Sequence, residues 1–122
     1  MIHRKPRGRR ALAEALRTAL DAAPSAPHRI EEVAAELGVS RCHLSRVFTA
    51  ETGISPHQYL LRVRMTQALS RLSRGEPHLS RLALDLGFSS HSHFSMAFRR
   101  HFGESPAQVR ASLHPMSNIK IP

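Results

Sequence analysis

Apolar residues recur at helical spacing along most of the chain, and glycines and prolines cut that pattern into segments. Leu12, Ala15, Leu16, Ala19 and Leu20 predict an amphipathic helix over roughly residues 8–22, ended by Pro24 and Pro27. Ile30, Val33, Ala34 and Leu37 predict a second over about 30–37. Glu31 and Glu32 favour its dipole, Gly38 stops it, and its start is weakly marked because His28-Arg29 is not a preferred capping pair. Ser40 caps a third helix that runs to about Thr52, with Gly53 as terminator. Ser55-Pro56 then opens a long helix to about Arg74, with Tyr59, Leu60, Val63, Leu69 and Leu72 as its apolar positions. Helices follow over about 79–86 (Leu79, Leu82, Ala83, Leu86 inward) and 90–102 (Phe94, Ala97, Phe98, Phe102 inward). A short last one begins at Ser105-Pro106. No segment reads as a strand, so the expected class is all-α with seven helices.

Part of this pattern occurs twice. Ala34-Ala35-Glu36-Leu37-Gly38-Val39-Ser40, with Leu44, Val47 and Phe48, closes on Gly53-Ile54-Ser55-Pro56. Ala83-Leu84-Asp85-Leu86-Gly87-Phe88-Ser89, with Phe94 and Phe98, closes on Gly103-Glu104-Ser105-Pro106. The offset is 49 before the turn (Gly38 to Gly87) and 50 after it (Leu44 to Phe94), so the second turn carries one extra residue. A small residue at a steep crossing, a glycine turn four later and an apolar residue ten later form the helix-turn-helix pattern. Two copies joined by a long helix are more specific than one. The organisation this predicts is a flexible basic arm (1–7), a first lobe (8–53) and a linker helix (55–75). A second lobe (76–113) and a flexible tail (114–122) complete it. At 1.5 Å per residue the linker helix spans roughly 28 Å.

The outward faces can be assigned once the buried ones are. On the first recognition helix, opposite Leu44, Val47 and Phe48, lie Arg41, Cys42, Ser45, Arg46 and Thr49. The second presents His91, Ser92, Ser95, Met96 and Arg99. These faces are small, polar or basic, as a face entering a DNA groove should be. Arg46 is the foremost candidate for a bidentate contact to guanine, with a phosphate contact or a solvated side chain as the alternatives. His91 and Ser92 suit a base or a phosphate, and Met96 offers only apolar contact, for example to a thymine methyl. Ser40, Arg62, Arg81, Ser90, Arg99 and Arg100 are the phosphate-contact candidates.

The charge balance agrees. The chain has 122 residues, a formal net charge of +9 and a pI near 11.5. Arginine carries nearly all of this, since Lys5 and Lys120 are the only lysines. Guanidinium forks match phosphate and guanine edges. Charge alone leaves open a merely soluble basic surface or an anionic-lipid binder.

With those residues in view, the chain resembles the DNA-binding domain of the AraC/XylS family of bacterial transcription regulators over about residues 10–112. The resemblance is carried by Leu37-Gly38-Val39-Ser40, His43-Leu44-Ser45-Arg46-Val47-Phe48, Gly53-Ile54-Ser55-Pro56 and Tyr59-Leu60. It continues through Arg64-Met65, Ala68, Leu86-Gly87-Phe88-Ser89-Ser90, His93-Phe94, Phe98-Arg99-Arg100, Phe102-Gly103 and Ser105-Pro106. It implies two helix-turn-helix lobes bridged by a long helix, with recognition helices entering successive major-groove segments on one DNA face. It further implies an activator that contacts RNA polymerase, and, as in short stand-alone members, a monomer on an asymmetric site. This chain departs from the family at Cys42, where short members carry Trp, at Met96, and at Val109 ahead of Arg110. Those departures bear on the target sequence and imply that the second helix reads fewer bases.

Other chemistry finds little support. His91 and His93, two apart on a helix, point to different faces and cannot chelate together, so no metal site is expected. His43 and His93 are repeat-equivalent, which argues for a shared structural role such as helix–turn packing. Cys42 beside Arg41 could act as a redox sensor, but with no second cysteine the plainer reading is a small residue facing DNA. No catalytic constellation or phosphate-cradling glycine loop is present, so neither enzyme activity nor a cofactor is expected. No run reaches transmembrane length, and the expected location is cytoplasmic, at the nucleoid. Two alternatives stand: an adaptor for RNA polymerase or another regulator, and the DNA-binding fragment of a longer effector-sensing regulator. Met1 leading straight into a basic arm weighs against the second.

Overall fold

The computed structural model describes residues 8–113; the expected arm and tail lie outside them. Within that span the chain forms α1 (Arg9–Ala22), α2 (Arg29–Leu37), α3 (Arg41–Thr52), α4 (Pro56–Ser73), α5 (Leu79–Asp85), α6 (His91–Phe102) and α7 (Pro106–Leu113). No strand occurs among the described residues. Two compact units divide between Val63 and Arg64, inside α4.

The first unit packs α1 and α2 against α3. Its core is Leu12, Ala13, Leu16 and Leu20 from α1, Ile30, Val33 and Ala34 from α2, and Leu44, Val47 and Phe48 from α3. Ala34 is small enough to let α2 and α3 approach closely. Gly38 follows in the left-handed conformation (φ 71°) that side-chain-bearing residues disfavour, and this turns the chain sharply into α3. Tyr59, from the start of α4, meets Phe48 edge-on at 5.7 Å and donates its hydroxyl to Asp21 on α1. His28 enters α2 with φ 57° and no side-chain cap, in keeping with the weak start signal.

The second unit is built around phenylalanines. Ring centroids run Phe88–Phe94 at 5.4 Å, Phe94–Phe98 at 5.7 Å and Phe98–Phe102 at 4.6 Å, all tilted as the ring quadrupole prefers. Leu82, Ala83 and Leu86 complete the core from α5. The residues that α4 buries most deeply here are Met65, Ala68 and Leu72. Of the apolar positions expected on α4, only Leu72 is fully buried; Tyr59, Leu60, Val63 and Leu69 are half-buried. The 65–68–72 spacing is helical and places the three on one face of α4. Arg71 ties the end of α4 to Glu76 and, at 2.8 Å, to Asp85 of α5. Arg110 of α7 donates to the carbonyls of Glu76 (3.0 Å) and Pro77 (3.2 Å). Arg64 is partly buried over the face of Phe88 at 5.4 Å, and that burial lowers its pKa. No helix among the described residues is long and apolar enough to cross a membrane.

Candidate nucleic-acid interface

The two recognition helices start by the same device. Ser40 accepts from the backbone N–H of His43 at 3.0 Å, and Ser90 from that of His93 at 3.1 Å. Each serine thereby satisfies one amide left unpaired at a helix start and keeps its hydroxyl proton for another acceptor. The pairing of Ser40 with Ser90 identifies Ser89 as the extra residue of the second turn. Ser89 Oγ lies 3.2 Å from His93 Nδ1, and the His93 ring stands edge-on to Phe88 at 5.2 Å. Val39 occupies the place of Phe88 in the first turn. What His43 and His93 share is the backbone cap, while the ring-to-turn packing belongs to His93.

The faces nominated for DNA contact are open. Arg41, Cys42, Arg46 and Thr49 on α3 are exposed, as are His91, Ser92, Met96 and Arg99 on α6; Ser45 and Ser95 are half-buried. Ser40, Arg62, Arg81, Ser90 and Arg100 are also exposed. Met96 is 65% exposed, comparable to Leu84 of α5 at 61%. Thr49 spends its hydroxyl proton on the Ser45 carbonyl at 2.8 Å, so its side chain has an acceptor and a methyl left to offer. Arg99, Arg100 and His101 fall in the last turn of α6, where positive charge suits the dipole.

Beside α3 the start of α4 forms the wall of an open groove of about 590 Å³, lined by Arg41, Ser45, Arg46, Thr49, Pro56 and His57 among others. Ser55 and Gln58 fix that wall by a reciprocal capping box. The Ser55 amide donates to Gln58 Oε1 at 2.9 Å, and the Gln58 amide to Ser55 Oγ at 3.1 Å. Ser105 and Gln108 repeat it at the start of α7, at 2.8 and 3.1 Å. Arg41 is not a loose side chain: it contacts Glu31 of α2 at 2.9 Å and His57 of α4 at 3.0 Å. Glu31 and His57 were not among the expected site residues. Glu31 reads in the sequence as a dipole-favouring acid, and nothing local marks His57.

In the second unit Pro77, His78, Ser80, Arg81, His91 and Arg110 line a second open cavity of about 550 Å³. Arg81 and His91, assigned separately from the sequence, therefore share one basic hollow.

A helix-turn-helix domain family matches the chain over residues 33–112. The transcriptional activator RhaS of Klebsiella pneumoniae (strain 342) is 39% identical over 80 residues, which is 66% of this chain and 29% of that protein. The transcriptional regulator MtrA of Neisseria gonorrhoeae is 32% identical over 87 residues, 71% of this chain and 29% of its own length. The chain thus spans under a third of either relative. Among solved structures, the C-terminal domain of AraT, a response regulator from Geobacillus stearothermophilus, superposes with a TM-score of 0.78 at 31% identity, covering 83% of this chain and 84% of that one. The DNA-binding domain of AdpA, solved in complex with a target DNA, gives 0.73 at 32% identity over 86% and 94% of the two chains.

Proposed function

Because the chain belongs to the AraC/XylS family of helix-turn-helix transcription regulators, we propose that it reads a specific double-stranded DNA site with α3 and α6, each in a major-groove segment. The observation that carries this reading is the repeated outward face. Both helices start from the same serine cap, bury their Leu, Val or Phe residues, and leave Arg41, Arg46, His91, Ser92 and Met96 open to solvent. A scaffold that repeats a cap and a turn but keeps its polar face free is suited to docking two helices on a polyanion. Arg46 supplies the foremost base contact, with Arg41, Cys42, Ser45 and Thr49 beside it. Ser95 and Met96 read apolar or small features on the second helix. Arg62, Arg81, Arg99 and Arg100, with Ser40 and Ser90, hold the phosphates that set register and affinity.

The finer assignment is to activation, by a monomer on an asymmetric site, with contact to RNA polymerase. RhaS is named an activator, and the unlike faces of α3 and α6 suit an asymmetric target. Selection from a random duplex pool tests the core of the proposal. The pool should converge on one non-palindromic sequence, and affinity for it should fall steeply between about 50 and 200 mM salt. A pool that fails to converge overturns the reading.

A further inference from the structure

We propose that Glu31 and His57 are positioning residues that hold Arg41 in place for base recognition, and that the first unit therefore sets most of the sequence preference. The proposal rests on α3 being a recognition helix. Arg41 lies in the first turn of α3, its Nε paired with Glu31 Oε1 at 2.9 Å and its Nη2 donating to His57 Nε2 at 3.0 Å. Arginine has no acceptor, so His57 must present an unprotonated Nε2 to it. The guanidinium is thus gripped on two edges from two different helices. One of its five N–H groups is spent on His57 and Nε faces the Glu31 carboxylate, which leaves both N–H groups on Nη1 uncommitted to either partner.

Stability does not account for this arrangement. The Arg41 and Glu31 side chains are 46% and 47% exposed, and pairs so open to water contribute little to folding. What the grip does change is freedom. A long arginine loses several rotamers when it docks on a base edge, and a side chain already held in one conformation has less to lose. It also meets a wrong base with less room to adjust, which turns a contact into discrimination.

The repeat provides a comparison inside the same chain. The positions equivalent to Glu31, Arg41 and His57 in the second unit are Ser80, His91 and Ala107. None of these can form the carboxylate–guanidinium–imidazole set. Arg41 and His57 also line the groove that contains Arg46, so the gripped fork stands next to the foremost base reader. The open hollow of the second unit lies elsewhere on its surface, lined by His78, Arg81, His91 and Arg110, a composition suited to phosphate.

Simple charge predicts the opposite sign, which makes the test sharp. Removing a carboxylate near DNA should strengthen binding to every duplex alike. The experiment measures Kd for the selected duplex and for a scrambled one of equal length, with the unsubstituted chain, E31Q, H57A, R41K and the E31Q/R41K pair. Thermal melting checks that each variant is folded. E31Q and H57A should each lower the ratio of scrambled to selected Kd by about five- to tenfold, mainly by weakening selected binding. R41K keeps the charge but lacks the fork, so it should lose the same preference. The double variant should lose no more than R41K alone, since Glu31 acts through Arg41. An E31Q chain that binds both duplexes more tightly by one factor overturns the proposal, as do additive losses in the double variant. An unsubstituted chain with no preference would instead sink the DNA-reading function itself.

Discussion

Ser40 caps α3, and one pair of substitutions can separate that role from the phosphate contact proposed for it. Its Oγ accepts from the His43 amide at 3.0 Å, and its own proton is left to donate to a phosphate. Ser40→Ala removes both. Losing an N-cap costs about 1 kcal/mol, which for a domain of this size lowers Tm by roughly 4–8 °C. Losing a hydrogen bond to a charged acceptor costs about 1.5–3 kcal/mol, or roughly 10- to 150-fold in Kd. Ser40→Asp behaves differently. Asp caps about as well as Ser, and its charge suits the helix start, so Tm should stay within about 2 °C of the original. Yet a carboxylate facing the DNA backbone both lacks the donor and repels it. Binding of S40D should therefore be weaker than that of S40A, although S40D is the more stable protein. Circular-dichroism melting and fluorescence anisotropy with a labelled duplex measure the two quantities. An S40D chain that binds as well as the original would show that Ser40 does not face the backbone. One that melts with S40A would show that the cap is not what the hydroxyl contributes.

Three further outcomes follow from particular residues. Arg46→Ala should cost about 1–3 kcal/mol of binding and relax preference at one half-site, read by repeating the duplex selection; uniform loss on all sequences would make it a phosphate contact. Burial, and then the hydrogen bond to Asp21, push the Tyr59 hydroxyl up to about 12. The neutral phenol is the form the fold favours, so its contribution is complete below pH 10 and lost as pH rises from 10 to about 12. Urea midpoints of the original chain should fall more than those of Tyr59→Phe across that window, and parallel curves would contradict the assignment. Phe98 is fully buried between Phe94 and Phe102; Phe98→Ala should cost about 3–5 kcal/mol in denaturant unfolding, and a cost under about 1 kcal/mol would mean that the ring stack is not the core of its unit.

The helices were legible to within one or two residues at either end because their limits are local chemistry. Ser40 and Ser90 as caps, Gly38 and Gly53 as terminators, and Pro56 and Pro106 at first positions act within a turn of where they stand. The buried face of α3 followed from period alone, as did Phe94 and Phe98 on α6, while Ala97 and Phe102, also expected inward, are half-buried. Period did less well on α4, where a strip that changes neighbours along its length is buried by Met65 and Ala68 rather than by the more apolar Val63 and Leu69. The capping boxes of Ser55 with Gln58 and Ser105 with Gln108 were readable in principle, since both fit the S-x-x-Q spacing. Glu31, Arg41 and His57 were not readable together. They lie 10 and 16 residues apart on three helices, and only the crossing of α2, α3 and α4 brings them to one point. The Tyr59–Asp21 and Arg71–Asp85 contacts are hidden for the same reason: a charge or a hydroxyl on a helix surface carries no local sign of which distant partner it meets.

Two reading helices on one duplex leave a distinctive trace. Methylation interference and hydroxyl-radical footprinting on the selected duplex should give two clusters of sensitive major-groove bases, with centres about 10 bp apart and backbone protection on one side. Arg46→Ala should erase one cluster, and Met96→Ala should weaken the other. A single cluster that Arg46→Ala abolishes entirely, or protection spread evenly with no base-specific interference, would contradict a chain that reads DNA through both α3 and α6.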